Sequence, residues 1–167
     1  MFITGNSRQQ TMEGRKSWSE KLMDSKDLPK VKEITSKMSK KWGTGTVVIP
    51  APIEVDEVMR NVPEGRLITI NDIRKLLARK HNATIGCPIT TGMFAWIAAN
   101  AAEEQRKKGE RNITPYWRTL KTGGVLNDKY PGGIEGQKLL LEKEGHKIVQ
   151  KGRKYVVKDY KKSPIII

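Results

Sequence analysis

The chain is poorest in the residues that carry most enzymatic chemistry. It has one cysteine, Cys87, and two histidines in 167 residues. A single cysteine excludes an internal disulfide and fits a reducing cytoplasm, where the protein is expected to reside. The histidines and the thiol are widely separated and offer no metal-ligand spacing, so neither a metal nor a cofactor is expected. There is no Gly-x-Ser-x-Gly elbow of the hydrolase type. No apolar run reaches the length of a membrane-spanning helix. The opening "MFITGNSRQQTMEGRKSW" lacks the charged and then apolar order of a signal peptide. A membrane is therefore not an expected partner. Acidic residues are also scarce: 18 against 32 Lys and Arg, a net charge of +14. That field selects polyanions, nucleic acid before an anionic membrane surface. With only 37% hydrophobic residues, the chain sustains one core if part of it stays outside.

Residues 1–27 are polar and basic and read as an N-terminal arm, pinned to the body by Trp18 and Leu22. In 28–52, "VKEITSKMSKKW" (31–42) spaces Val31, Ile34, Met38 and Trp42 for an amphipathic helix. "GTGTVVIPAP" (43–52) reads as an extended lead-in whose two prolines exclude a helix. The body, 53–162, begins with a helix at 55–62, where Val55, Val58, Met59 and Val62 fall on one face. "GRLITI" (65–70) reads as a strand. The helix 71–81 follows, with Thr69 and Asp72 in capping-box spacing. After the loop 82–88 comes a longer helix, 90–108, stopped by Gly109. Gly145 stops a further helix within 130–145. Residues 146–162 read as a β-hairpin around Lys151 and Gly152, with a short tail at 163–167. The fold class expected is α+β, mostly helical, with a winged helix-turn-helix-like body.

Two helices joined by a short loop suit DNA binding, the second entering a groove. Thr90, Thr91 and Gly92 at its start are small, and first-turn N–H groups are unpaired, which suits a phosphate. Met93 follows them. The alanines 95, 98, 99, 101 and 102 would allow close approach to a minor groove, or serve helix propensity alone. Phe94 and Trp96 read as core residues rather than wedges. Phosphate contacts are expected from Arg74, Lys75, Arg79 and Lys80 on the first helix, and from Lys151, Arg153 and Lys154 on the hairpin. Cys87, just before Pro88 and a helix start, is a small buried hydrophobe or an activated thiol.

Three stretches carry a family resemblance: "VMRNVPEGRLITINDIRKLL", "PYWR" (115–118) and "GGVLNDKYPGGIEGQKLLLEKEGH". They lie within 55–148, a stretch that resembles the DNA-binding domain of the O6-alkylguanine-DNA alkyltransferases. "PYWR" stands where that family has Pro-Cys-His-Arg. The last stretch is similar to its G-x-x-x-x-Y-x-G-G-x-x-x-K-x-x-L-L-x-x-E-G-H, with the interval from Tyr116 to Tyr130 about one residue longer.

The resemblance implies that Tyr116 occupies the nucleophile's place and Trp117 that of the relay histidine. Arg118 and the relay acid, Glu144, are retained. The position of the inserted arginine finger falls on Gly92 or Met93, and that of the phosphate-rotating tyrosine on Ile70. A phenol near pKa ~10 is a far poorer nucleophile at neutral pH than a thiol near ~8.5. The chain is thus similar to the alkyltransferase-like proteins, which bind alkylated DNA without repairing it and flag it for other repair proteins. Double-stranded DNA and a downstream repair protein are the implied partners of a monomer with no catalytic residue. Tyr116, Trp117, Arg118 and Tyr130 would line a base pocket, either open for stacking or filled by its own aromatics. The rival expectations are an enzyme acting through Cys87 or Tyr116, and a basic module that binds protein or RNA.

Overall fold

The computed structural model describes residues 15–164; residues 1–14 of the expected arm and 165–167 of the tail lie outside the described residues. The body is built around one alanine-rich helix. In chain order the larger elements begin with helix α1 (Trp18–Met23), strand β1 (Lys30–Glu33), a single helical turn α2 (Ser39–Trp42) and strand β2 (Thr46–Ile49). Helix α3 (Pro52–Arg60), strand β3 (Ile68–Thr69), helix α4 (Ile70–Lys80), strand β4 (Ile85–Gly86) and helix α5 (Pro88–Lys107) follow. A 3-10 turn at Tyr116–Arg118 leads into β5 (Thr119–Leu120) and helix α6 (Gly133–Lys143). Strands β6 (Ile148–Lys151) and β7 (Lys154–Val157) and a 3-10 turn at Tyr160–Lys162 complete it.

Helix α5 packs against α1, α3 and α4. Its residues Ala95, Ala98, Ala99, Ala101 and Ala102 are at most 1% exposed, and the lack of bulk lets the neighbouring helices come close. Val55, Met59 and Val62 supply the facing apolar surface, all essentially buried. Leu22 is buried and Trp18 packs on the same core, so α1 is pinned by the two residues that the spacing singled out. Glu104 of α5 reinforces this by accepting the N–H groups of Trp18 and Ser19 at 3.0 and 3.2 Å. A second cluster, formed by Leu67, Leu120, Leu126, Leu141 and Val157, joins the C-terminal elements to β3 and β5.

The capping box is present: Thr69 Oγ1 accepts the Asp72 N–H and Asp72 accepts the Thr69 N–H. Because the box starts the helix at Ile70, the expected six-residue strand shrinks to Ile68–Thr69, paired in parallel with Thr119–Leu120. The helix expected at 31–42 is not formed. Lys30–Glu33 instead pairs antiparallel with Thr46–Ile49, and β2 pairs in parallel with β4. The pairing partner outweighs helical spacing, because four ladder residues form at once on a partner that periodicity does not reveal. The prolines of the lead-in also act otherwise than expected. Pro52 opens α3, since its fixed φ and missing N–H suit a first helical position. Strands β6 and β7 form the expected hairpin, with the register Ile148 to Val157 through Lys151 to Lys154.

The strand β4 runs so close to α4 that a Cβ on Gly86 would lie 2.7 Å from the Arg74 carbonyl oxygen. Gly86→Ala is expected to lower stability by about 1–3 kcal/mol through this overpacking. Gly92→Ala, where a Cβ meets nothing within 4 Å, is expected to leave stability unchanged or raise it by up to ~1 kcal/mol through helix propensity. Urea unfolding midpoints of the two variants check the contrast.

Candidate functional site

The segment "TPYWR" is held from both sides. Thr114 donates its hydroxyl to Asp56 at 2.6 Å. Asp56 is 3% exposed, and burial pushes its carboxyl above the usual range, with the Thr114 hydroxyl and the nearby Arg60 acting against that. On the other side, Glu144 caps α6 and receives three neighbours. Arg118 donates from Nε at 2.9 and 3.1 Å and from an Nη at 2.9 Å. Trp117 Nε1 donates at 2.6 Å and the Gly65 N–H at 3.0 Å. Burial alone would raise the Glu144 carboxyl, but the donors from Arg118, Gly65 and Trp117 outweigh it and hold it below its ordinary range. Arg118 also donates to the Val62 carbonyl at 2.7 Å, closing the chain over the end of α3.

Tyr116 and Tyr130 are each 3% exposed. The Tyr116 ring meets Trp117 edge-on at 5.4 Å and Tyr130 edge-on at 5.7 Å. The four residues expected to line a base pocket are therefore brought together, but two of them fill it. Burial, with the Glu103 carboxylate next, pushes the Tyr116 hydroxyl up to about 12. Burial likewise raises that of Tyr130. At neutral pH the Tyr116 phenol is protonated and enclosed. The indole N–H of Trp117 donates but has no lone pair to take a proton.

A groove of about 480 Å³ opens between α5 and the loop 121–129. One wall is apolar: Ile70, Met93 and Trp96. The other carries Lys121, Thr122, Asn127 and Lys129, with Gly92 beside Met93. Ile89, Met93 and Trp96 are 63%, 48% and 37% exposed, an apolar stripe on the outward face of α5. Trp96 is therefore not a core residue, contrary to expectation; it meets Trp18 edge-on at 4.8 Å. Phe94 is buried as expected, and so are the alanines, which face the core and not a groove.

Other expected contacts are redistributed. Helix α5 starts at Pro88, so Thr90 and Thr91 lie inside its first turns. Thr91 is fully buried and donates its hydroxyl to the Cys87 carbonyl at 2.6 Å; the Thr90 hydroxyl is buried too. Neither side chain is free to meet a phosphate. Arg74 donates to the Gly86 carbonyl at 2.8 Å and to Asn71 at 3.1 Å, which commits it to bracing β4 against α4. Lys80 pairs with Glu54 at 2.7 Å. Lys75, Arg79, Lys151, Arg153 and Lys154 are exposed. Cys87 is buried at the start of α5. No helix among the described residues is long and apolar enough to cross a membrane.

No protein-family model matches the chain, and no curated protein matches it in sequence. Solved structures do. One is S. pombe ATL in complex with DNA, at a TM-score of 0.50 and 18% identity, over 70% of this chain and 94% of that one. The chain shares that protein's fold. S. pombe Atl1 in complex with damaged DNA containing O6-carboxymethylguanine matches over the same shares, at 18% identity and a TM-score of 0.46.

Residues that sequence reasoning missed hold the site in shape. Gln137 is fully buried. It accepts the Asn127 N–H at 2.7 Å and donates to the Trp117 and Thr119 carbonyls at 3.1 and 3.4 Å. The helical pattern of α6 distinguishes a buried glutamine from an exposed one only by its phase. Lys121, Asn127 and Lys129 sit in loops without periodicity and carried no signal.

Glu144→Gln is expected to cost about 3–5 kcal/mol, because it leaves the largely buried Arg118 without its counter-charge. The Glu144 carboxyl is held low in the folded state. Its contribution is therefore complete above the ordinary carboxylate range and is lost as pH falls through the folded value. Stability of the wild type against pH should show this loss, and the profile of the variant should be flatter over the same acid interval.

Proposed function

We propose that the protein binds duplex DNA and recognises damaged bases without repairing them, as a monomeric member of the alkyltransferase-like branch. Residues 53–162 form the binding unit. Helices α4 and α5 act as the helix pair of a winged helix-turn-helix, and the turn at 121–124 acts as its wing. The observation that carries the reading is the groove between α5 and the 121–129 loop. Its volume lies in the range of small-ligand sites, its cations suit phosphates, and its apolar wall suits the face of a base. The resemblance puts the family's arginine finger at Gly92 or Met93, and of the two Met93 carries an exposed side chain. An apolar side chain there acts as a wedge between base steps, a device known from minor-groove proteins.

The fold likeness to an alkyltransferase-like protein crystallised with DNA supports this reading, as does the net charge of +14. The protonated phenol of Tyr116 and the donor-only indole of Trp117 support recognition without transfer. Damaged DNA is then passed to a downstream repair protein. The enzyme reading is disfavoured by the burial of Cys87, 6% exposed, within the start of α5.

Fluorescence anisotropy with O6-methylguanine and undamaged duplexes is the direct test. Wild-type affinity should be higher for the damaged duplex and should fall steeply with salt, since counterion release drives binding. Met93→Glu should bind at least about tenfold more weakly, or ~1.4 kcal/mol. Its unfolding midpoint should be unchanged because Met93 is 48% exposed. Equal affinity of the variant and wild type would remove the wedge. A methyl adduct on the protein, seen in intact mass after incubation with the damaged duplex, would replace this proposal with alkyl transfer.

A further inference from the structure

The C-terminal hairpin lies beyond the stretch that carries the family resemblance, yet it is built into the body. The Leu126 N–H bonds to the Tyr155 carbonyl at 2.9 Å and the Val157 N–H to the Gly124 carbonyl at 3.0 Å, so β7 is fastened to the 121–126 turn. The Leu67 N–H bonds to the Ser163 carbonyl at 2.7 Å, fastening the end of the described chain to the lead-in of β3. Gly124 has φ +80, and a Cβ there would lie 2.5 Å from the Tyr160 ring, so the ring is seated directly on the turn. The tail expected at 163–167 thus begins, at Ser163, as part of this junction.

Beside this junction is a groove of about 490 Å³ lined by Lys151, Lys158, Lys161 and Lys162, with Tyr160 and a single acid, Asp159. Asp159 reaches Lys162 only at 4.0 Å, and both are exposed, so it leaves most of the positive charge unbalanced. The groove adjoins a second hollow of about 320 Å³ through shared residues Gly123, Tyr160 and Lys161. That hollow carries Lys75 of α4 and shares Thr122 with the α5 groove. Three concavities therefore run in series: from the face of α5, across the wing turn, to the hairpin.

We infer that this series is the path of one DNA strand, and that Lys151, Lys158, Lys161 and Lys162 hold phosphates of the duplex flanking the site that α5 occupies. The inference rests on the DNA-binding reading above. A phosphodiester strand fits the row because it presents a charge at regular intervals along a line and needs cations on an open groove, without directional pockets. Arg153 and Lys154, at the hairpin turn and its following strand, add to the same field.

The test compares full-length wild type with Lys151→Gln/Lys158→Gln/Lys161→Gln/Lys162→Gln on two damaged duplexes over a range of salt. One duplex has about 10 base pairs, a single helical turn, and the other has about 30. On the long duplex the variant should show a salt slope shallower by roughly 3–4, near 0.9 for each phosphate that is no longer neutralised. On the short duplex the two proteins should agree. Equal slopes on the long duplex, with binding retained, would overturn the hairpin path and leave the recognition site standing. An equal change on both duplexes would also overturn it, because the lysines would then act as a general field. If wild type binds neither duplex, both readings fall. Unfolding midpoints confirm that the exposed substitutions leave the fold intact.

Discussion

The carboxylate of Glu144 is the constraint on which the candidate site depends. It terminates α6, neutralises Arg118, receives the indole of Trp117 and fixes the backbone of Gly65 ahead of β3. Three segments distant in sequence meet at two oxygens. The arrangement is shielded from water, so each hydrogen bond counts for more than it would on the surface. Every donor is paired, which is the condition under which a buried charge network stabilises. Through Arg118 and the Val62 carbonyl the same centre orients the end of α3.

That hub also explains the state of the aromatic plug. With Trp117 drawn to Glu144, the 3-10 turn directs Tyr116 inward onto Tyr130. Filling the space with two phenol rings stabilises the fold by burial and edge-to-face contact. The same filling removes the chemistry, because an enclosed phenol well above its usual pKa is no nucleophile at neutral pH. What stays open is the groove bounded by Met93, Trp96 and the cationic loop. Exposed apolar patches such as the stripe on α5 mark interaction sites.

Positive charge is distributed in two ways. Some cations are committed to partners within the chain: the largely buried Arg118 to Glu144, Arg74 to the β4 carbonyl, and the exposed Lys80 to Glu54. Others stay exposed on α4, on the loop 121–129 and on the hairpin, where they line connected concavities.

Local rules were legible where the physics is local. The capping box at Thr69 and Asp72, the amphipathic face of α3, the glycine after α5 and the hairpin turn all depend on residues within a few positions of each other. The helix expected at 31–42, the core placement of Trp96 and the phosphate role of the Thr90, Thr91 and Arg74 side chains depended on partners far along the chain, and there the structure decided otherwise; the pocket and the alanines, each left with two readings, took the filled and the buried one. The sequence by itself determined the charge, the capping box of α4, the glycine after α5 and the absence of a thiol at position 116. Only tertiary packing decided that Tyr116 is buried against Tyr130, that α5 turns its alanines inward and Met93 outward, and that the hairpin lysines line a groove adjoining the 121–124 turn. Side-chain burial and the alignment of charges are set by which segments meet, and no short-range pattern specifies that.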